Sequence, residues 1–367
     1  MKRNLFFMAL SAMALVTSCS NDEVTEISDS DAIKFATTVG KNTRAVTTTN
    51  NISDFKVWAF TDSKTYMNGI TVTKTNGAWT YDGTKFWPET SVNFFSLNPV
   101  EPSSGTVSVT NAAQTITNYA ANGSEDLIYA SNIAETKANH ATAPVSINFR
   151  HALSQIVFKV KNTNAKLKVA VDEVKVEGVK NTGTLTWATA TTGPNLVTDT
   201  GADTETDDTW GRWSTPSGNT SYTATITSIE NVTSNVQNLT SGDGLLLMPQ
   251  TLVPWNKCGG TKSNNGARIL VKCTLTDVES SIQLWPKTGE NAQLYVAIPF
   301  GEITWKQGKK YVYTLIFGEG GGYNPDPEPE DPDPVLVPIK FEVTVDEFQK
   351  VNPEEIDTDM KTTDSQA

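Results

Sequence analysis

Short runs in which apolar and polar residues alternate recur from one end of this chain to the other. No stretch keeps an apolar residue at every third or fourth position long enough to form an amphipathic helix. That restricts the chain to sheets. Phe55-Lys56-Val57-Trp58-Ala59-Phe60, Val92-Asn93-Phe94-Phe95-Ser96-Leu97, and residues 156–161, 269–275 and 311–317 each read as a strand, with Gly, Pro, Asn and Asp punctuating the intervals. Abundant Thr, Val and Ser fit a pleated surface. At 367 residues and 38% hydrophobic content the chain can build two packed cores. Many short strands with turns between them predict an all-β fold of two sandwiches, the first over residues 45–144 and the second over 145–317.

The cleanest alternation lies near the C-terminus, over residues 339–350. Ile339, Phe341, Val343 and Val345 point one way and Lys340, Glu342, Thr344 and Asp346 the other, with Phe348 following. The preceding stretch, 318–338, is a glycine run followed by alternating proline and acid. It is expected to stay out of a sheet and to hold the strand away from the body, residues 323–338 reaching about 50 Å if extended. Near the other end, Ile33-Lys34-Phe35-Ala36-Thr37-Thr38-Val39 matches Ile339-Lys340-Phe341-Glu342-Val343-Thr344-Val345 at Ile, Lys, Phe, Thr and Val. Two strands with the same inward side chains could occupy one groove, one in its own fold and one in a neighbour's. Alternatively, both are ordinary edge strands with a common vocabulary.

Lys2 and Arg3 precede an apolar run over residues 5–16, the length of a signal-peptide core, so residues 1–18 read as an export signal. Val16-Thr17-Ser18-Cys19 resembles a bacterial lipoprotein box, which makes Cys19 the lipidated residue. The polar, acidic Ser20-Asn21-Asp22-Glu23 resembles the stretch that sends such lipoproteins to the outer face of the outer membrane. Arg44, before Ala45, sits in a polar segment where a trypsin-like cut would remove residues 19–44, matching strand included. Cys258 and Cys273 either form a disulfide across a Gly- and Asn-rich loop or remain two buried thiols. Residues 351–367 read as a disordered tail.

A net charge of −12 argues against a nucleic-acid partner. His140 and His151 are the only histidines; the first is expected in a solvated linker at 137–144 and the second as a satisfied structural residue. No His-Cys cluster has zinc-like spacing, the glycine run lacks the Lys-Ser or Lys-Thr of a phosphate loop, and the acid-rich stretches 203–208 and 326–333 lack the EF-hand spacing. No enzymatic activity and no cofactor are expected. Trp210-Gly211-Arg212-Trp213 could present two rings to a sugar, as a monomeric glycan-binding surface lipoprotein would, or its rings could cap a sandwich.

Several blocks, in this order, are similar to those of the fimbrillin family, the pilins of Bacteroidales. They are Phe86-Trp87-Pro88, Asp126-Leu127-Ile128-Tyr129-Ala130, Ile147-Asn148-Phe149-Arg150-His151-Ala152-Leu153-Ser154, Leu245-Leu246-Leu247-Met248-Pro249-Gln250 and Ile303-Thr304-Trp305-Lys306-Gln307-Gly308-Lys309-Lys310-Tyr311. The resemblance implies two transthyretin-like β-sandwiches, lipoprotein export, removal of an N-terminal strand by an arginine-specific protease, and polymerisation of pilin subunits by strand exchange. By resemblance, Arg44 is the cleaved position and Ile339, Phe341, Val343, Val345 and Phe348 face inward on the donor strand. Expected partners are other pilin subunits, the export and lipidation machinery, that protease, and a host or bacterial surface ligand.

Overall fold

The structure is a computed structural model that describes residues 31–39, 51–62, 64–141, 143–191, 211–256, 266–287, 294–319, 321–323, 334–335 and 339–347. Cys19, Arg44, Ala45, Trp210, Cys258, Phe348 and both acid-rich stretches lie outside the described residues.

The fold is all-β, as the alternation predicts. A first sheet runs in the order β1 (Phe35–Val39), β9 (Val145–His151), β8 (Ile128–Glu135), β5 (Val92–Asn98), β2 (Asp54–Thr61), β3 (Lys64–Thr75), β4 (Ala78–Thr80). Its two faces are both apolar. In β5, Val92 and Phe94 point to one side while Phe95 and Leu97 point to the other. On the first side the sheet rolls until its edges β1 and β4 approach each other, closing around Phe55, Val57, Val72, Phe94, Val145 and Phe149. On the second side lies a smaller sheet, ordered β13 (Arg212–Ser217), β12 (Thr182–Thr186), β7 (Gln114–Ala120), β6 (Thr106–Val109). Ile116, Tyr119 and Leu185 from it pack on Phe95, Leu97 and Tyr129.

A second body pairs two further sheets. The third sheet runs β15 (Gln237–Asn238), β10 (Ser154–Asn162), β22 (Lys309–Phe317), β25 (Ile339–Glu347), with β16 (Leu245–Leu247) also on β10. The fourth runs β14 (Thr220–Thr223), β11 (Leu167–Val179), β18 (Arg268–Asp277), β20 (Tyr295–Pro299), β23 (Gly322–Tyr323), β24 (Pro334–Val335), with β19 (Gln283–Trp285) on β18. A two-stranded ladder joins β17 (Gln250–Thr251) to β21 (Thr304–Trp305). Alternate residues of β10 and β22 (Ile156, Phe158, Tyr313, Leu315) meet those of β11 and β18 (Val169, Val171, Ile269, Val271) in one core, the face-to-face arrangement by which two sheets bury their inner sides.

The boundary expected between residues 144 and 145 does not separate the sheets. Strand β9 pairs with β1 and β8, because Val145, Ile147 and Phe149 fall on the side that fills the roll. Beyond it, β12 and β13 return from the second body to pair with each other, and β12 also pairs with β7. Two chain segments thus cross between bodies side by side: β11 continues into β12, and β13 into β14. Buried contacts reinforce the crossing. Tyr222 donates its hydroxyl to the Ala121 carbonyl at 2.7 Å, and Gly123, at φ +89°, leaves room that a Cβ would fill 2.9 Å from the Tyr222 ring.

Candidate functional site

Strand β1 lies at the edge of the first sheet and plugs the roll. Ile33 is 2% and Phe35 5% exposed, and Thr37 is also buried. The Phe35 ring meets Phe55 and Phe94 edge-on, with centroids 6.0 and 5.6 Å away, and packs on Tyr81. Along one side β1 pairs in parallel with β9, Phe35 opposite Val145 and Thr37 opposite Ile147. Along the other, Ile33 donates its N–H to the Lys85 carbonyl at 2.8 Å, Trp87 donates its own to Asp31 at 3.0 Å, and the Tyr81 hydroxyl donates to the Ile33 carbonyl at 2.8 Å. Burying Ile33 and Phe35 contributes about 1.5–3 kcal/mol each, so the slot left without β1 would hold apolar pockets beside unpaired backbone groups.

A clasp closes over the start of this strand. Within the stretch expected as a solvated linker, Lys137–His140 forms a 3-10 turn behind the N-cap Thr136, exposed at residues 137–139 but not at His140. His140 stacks flat on Trp87, with centroids 5.3 Å apart and planes 4° from parallel, and its Nε2 lies 2.7 Å from Glu135. Lys137 pairs with Asp31 at 2.8 Å. His140 is therefore packed rather than solvated, since Trp87 offers a flat apolar face and Glu135 a carboxylate. His151 is structural, as expected, buried with Nδ1 3.0 Å from Asp126.

Strand β25 is docked on its own molecule. It pairs antiparallel with β22 along its whole length, from Ile339 opposite Phe317 to Glu347 opposite Lys309. Ile339 is buried, Phe341 and Val343 are half-buried, and Val345 is 53% exposed. The Phe341 ring meets Phe300 at 5.9 Å and Tyr313 at 5.5 Å, and Lys340 pairs with Glu319 at 2.5 Å. The expectation that residues 318–338 hold the strand away from the body is thus corrected. Gly322 and Tyr323 pair with Val335 and Pro334, and Tyr323 also joins β20 at Ala297. A glycine adapts to such a return, and a proline is tolerated on the outermost strand of a sheet, where its missing N–H costs no ladder bond.

A family model described as fimbrillin-like matches residues 43–346. The chain belongs to the fimbrillin-like family. Among solved structures, this fimbrillin-like chain is similar to a fimbrial protein from Bacteroides vulgatus ATCC 8482, at 18% identity, with 87% of this chain and 99% of that one covered and a TM-score of 0.51. A protein from Bacteroides ovatus ATCC 8483 with an assignment to cell adhesion aligns at 13% identity over 88% of this chain and 99% of its own, with a TM-score of 0.46. Comparison with curated proteins gives no match.

Other residues singled out in this fimbrillin-like sequence fall away from the two strands. Cys273 is a free thiol sealed in the second core, where burial pushes it up to about 12. Its strand β18 lies between β11 and β20 and its side chain points into the apolar core between the sheets, while Cys258 lies outside the described residues. Trp213 presents no open platform. Its indole donates to the Ala152 carbonyl at 2.6 Å and packs on Tyr119, 5.8 Å between centroids, capping the first body's core. Reading the sequence missed the clasp; Phe86-Trp87-Pro88 stood out as a block, but nothing local paired it with His140, which lies more than fifty residues away.

Proposed function

We propose that this chain is a non-enzymatic fimbrial subunit or adhesin of the cell surface that assembles head-to-tail by strand exchange. In this reading it is exported as an outer-membrane lipoprotein on Cys19 and cut after Arg44, so that β1 leaves the first body. The strand over residues 339–348 of another subunit then takes the vacant slot. The observation that carries the proposal is the position of β1, a separable edge strand whose buried Ile33, Phe35 and Thr37 fill a core otherwise made by later segments. Ile339, Phe341 and Val343 present the same spacing of inward side chains.

The docked position of β25 is the resting state of the donor. Its own slot buries Ile339 fully and Phe341 and Val343 only in part, and leaves Val345 exposed, whereas β1 is buried at Ile33, Phe35 and Thr37. Transfer from the shallower slot to the deeper one is downhill in apolar burial. Donor and acceptor are different surfaces, so the contact repeats into a filament instead of closing a dimer. Membership of the fimbrillin-like family supports the fimbrial part of this reading.

The test is treatment of the full-length exported protein with an arginine-specific protease, followed by mass spectrometry and electron microscopy. An N-terminus at Ala45 together with filaments is expected. The same protein lacking residues 339–367 should be cut and remain monomeric, and filaments of normal length from that deletion would reject the donor assignment.

A further inference from the structure

Where the two crossing segments bend between the bodies, the strands open a recess of about 350 Å³ lined by Glu177, Gly178, Asn219, Thr220, Ser221 and Arg268. Its shape follows from two glycines. Gly178, at φ +74°, is the extra residue of a β-bulge: Glu177 lies opposite Ser221 and Val179 opposite Thr220, with nothing opposite Gly178. Gly218, at φ +78°, turns β13 into β14 and brings Asn219 to the rim. A recess at the junction of two bodies is a common place for a ligand, and this volume lies at the small end of ligand sites.

The chemistry of the lining narrows the ligand. Arg268 donates from Nη2 to Glu177 Oε2 at 2.9 Å, and its guanidinium carbon sits 5.2 Å from the Trp255 ring centroid, which fixes the plane of the fork. The other carboxylate oxygen, Oε1, accepts from the Ser221 hydroxyl at a long 3.3 Å, a rotatable contact that a ligand hydroxyl can replace. Among the described lining residues one carboxylate and one guanidinium cancel in charge, so neither an anion nor a cation is favoured. Asn219, Thr220 and Ser221 add donors and acceptors side by side. Adjacent acceptors and donors of zero net charge suit the vicinal hydroxyls of a sugar ring.

We propose that this recess binds one neutral hexose unit, free or at the end of a glycan. Its lining residues belong to β11, β14, β18 and the turn before β14, and none of them to β1 or β25, so its occupancy does not depend on assembly. Glu177 accepts a pair of ring hydroxyls, Arg268 donates to an adjacent ring oxygen, and Asn219 and Ser221 set which epimer fits.

The test is saturation-transfer NMR on the full chain with glucose, galactose, mannose and N-acetylglucosamine at millimolar concentration, and a printed glycan array for terminal units. Signal from at least one neutral sugar is expected, weakened about tenfold or more by Glu177→Gln and reduced by Ser221→Ala, an exposed change that leaves the fold intact. Lys64→Ala, on the first sheet, should leave it unchanged. Binding on the array alone would place the unit within a longer glycan, whereas binding of free sugars as well would make the single ring sufficient; either supports the site. Absence of all neutral-sugar binding, a preference for sialylated or sulfated glycans, or binding untouched by both Glu177→Gln and Ser221→Ala would overturn it. Filament formation is scored separately, so loss of one reading leaves the other standing.

Discussion

The imidazole of His140 and the indole of Trp87 lie face to face, 5.3 Å between centroids and 4° from parallel. Trp87 in turn donates its backbone N–H to Asp31, whose carboxylate pairs with Lys137 on the same turn as His140. The turn and the 85–87 segment thereby hold Asp31 and Ile33, the residues leading into β1, from two directions, so the clasp opposes departure of the strand from its leading end.

Trp87→Ala removes the stacking face and part of the packing on Phe94. We expect a stability loss of about 1–3 kcal/mol, concentrated in β1. Hydrogen exchange should show it as faster exchange of the Ile33 amide than of amides in β2 or β5. Uniform loss of protection across the first sheet would mean that the clasp has no local role.

Phe35→Ala opens a cavity among Phe55, Tyr81 and Phe94 and should cost about 3–5 kcal/mol. Denaturant unfolding of the full chain would read this as a lower midpoint. In the proposed assembly the same change also speeds release of the cut segment, which mass spectrometry after protease treatment can time.

Phe341→Ala removes the ring that meets Phe300 and Tyr313. Because Phe341 is half-buried, the expected cost is smaller, about 2 kcal/mol, and confined to undocking of β25. Amides of residues 339–347 should lose protection while those of β10 keep theirs; equal loss in both would show that β25 is an integral part of the third sheet and not a detachable strand.

Alkaline pH should destabilise the fold through buried acids of the second body. Burial raises the Cys273 thiol from its ordinary 9.0 to about 12, with nearby Asp172 adding to it, and burial raises the Tyr222 hydroxyl from 10.0 to about 12. Both pKa values are higher in the native state, so their contribution to stability is complete below pH 9. It is lost as the pH climbs from about 9 to about 12. Denaturant melts across that window should show falling midpoints, and a thiol reagent at pH 8 should label Cys273 only after unfolding. Prompt labelling in the native state would contradict its burial.

Much of the fold was legible along the chain because strand periodicity is local. Phe55-Lys56-Val57 and Val92-Asn93-Phe94 announce which side chains share a face whatever sheet they join, and the match between residues 33–39 and 339–345 needs no coordinates. The errors were all matters of partnership. Val145, Ile147 and Phe149 read equally well as the opening of a second domain or as the last strand of a first, since alternation does not say which groove a strand fills. Strand β11 carries a register shift between Val171 and Glu173, an irregularity that interrupts the alternation along a single strand.

Sequence alone determined the all-β class and the two matching strands, because each depends on residues adjacent in the chain. Only the tertiary structure decided that β1 is clasped by Trp87 and His140, that β25 rests on β22 of its own molecule, and that the recess beside Gly178 joins Glu177 to Arg268. Those are contacts between residues tens to hundreds of positions apart, and no local preference encodes them: they exist only once apolar burial has chosen which sheet edges meet.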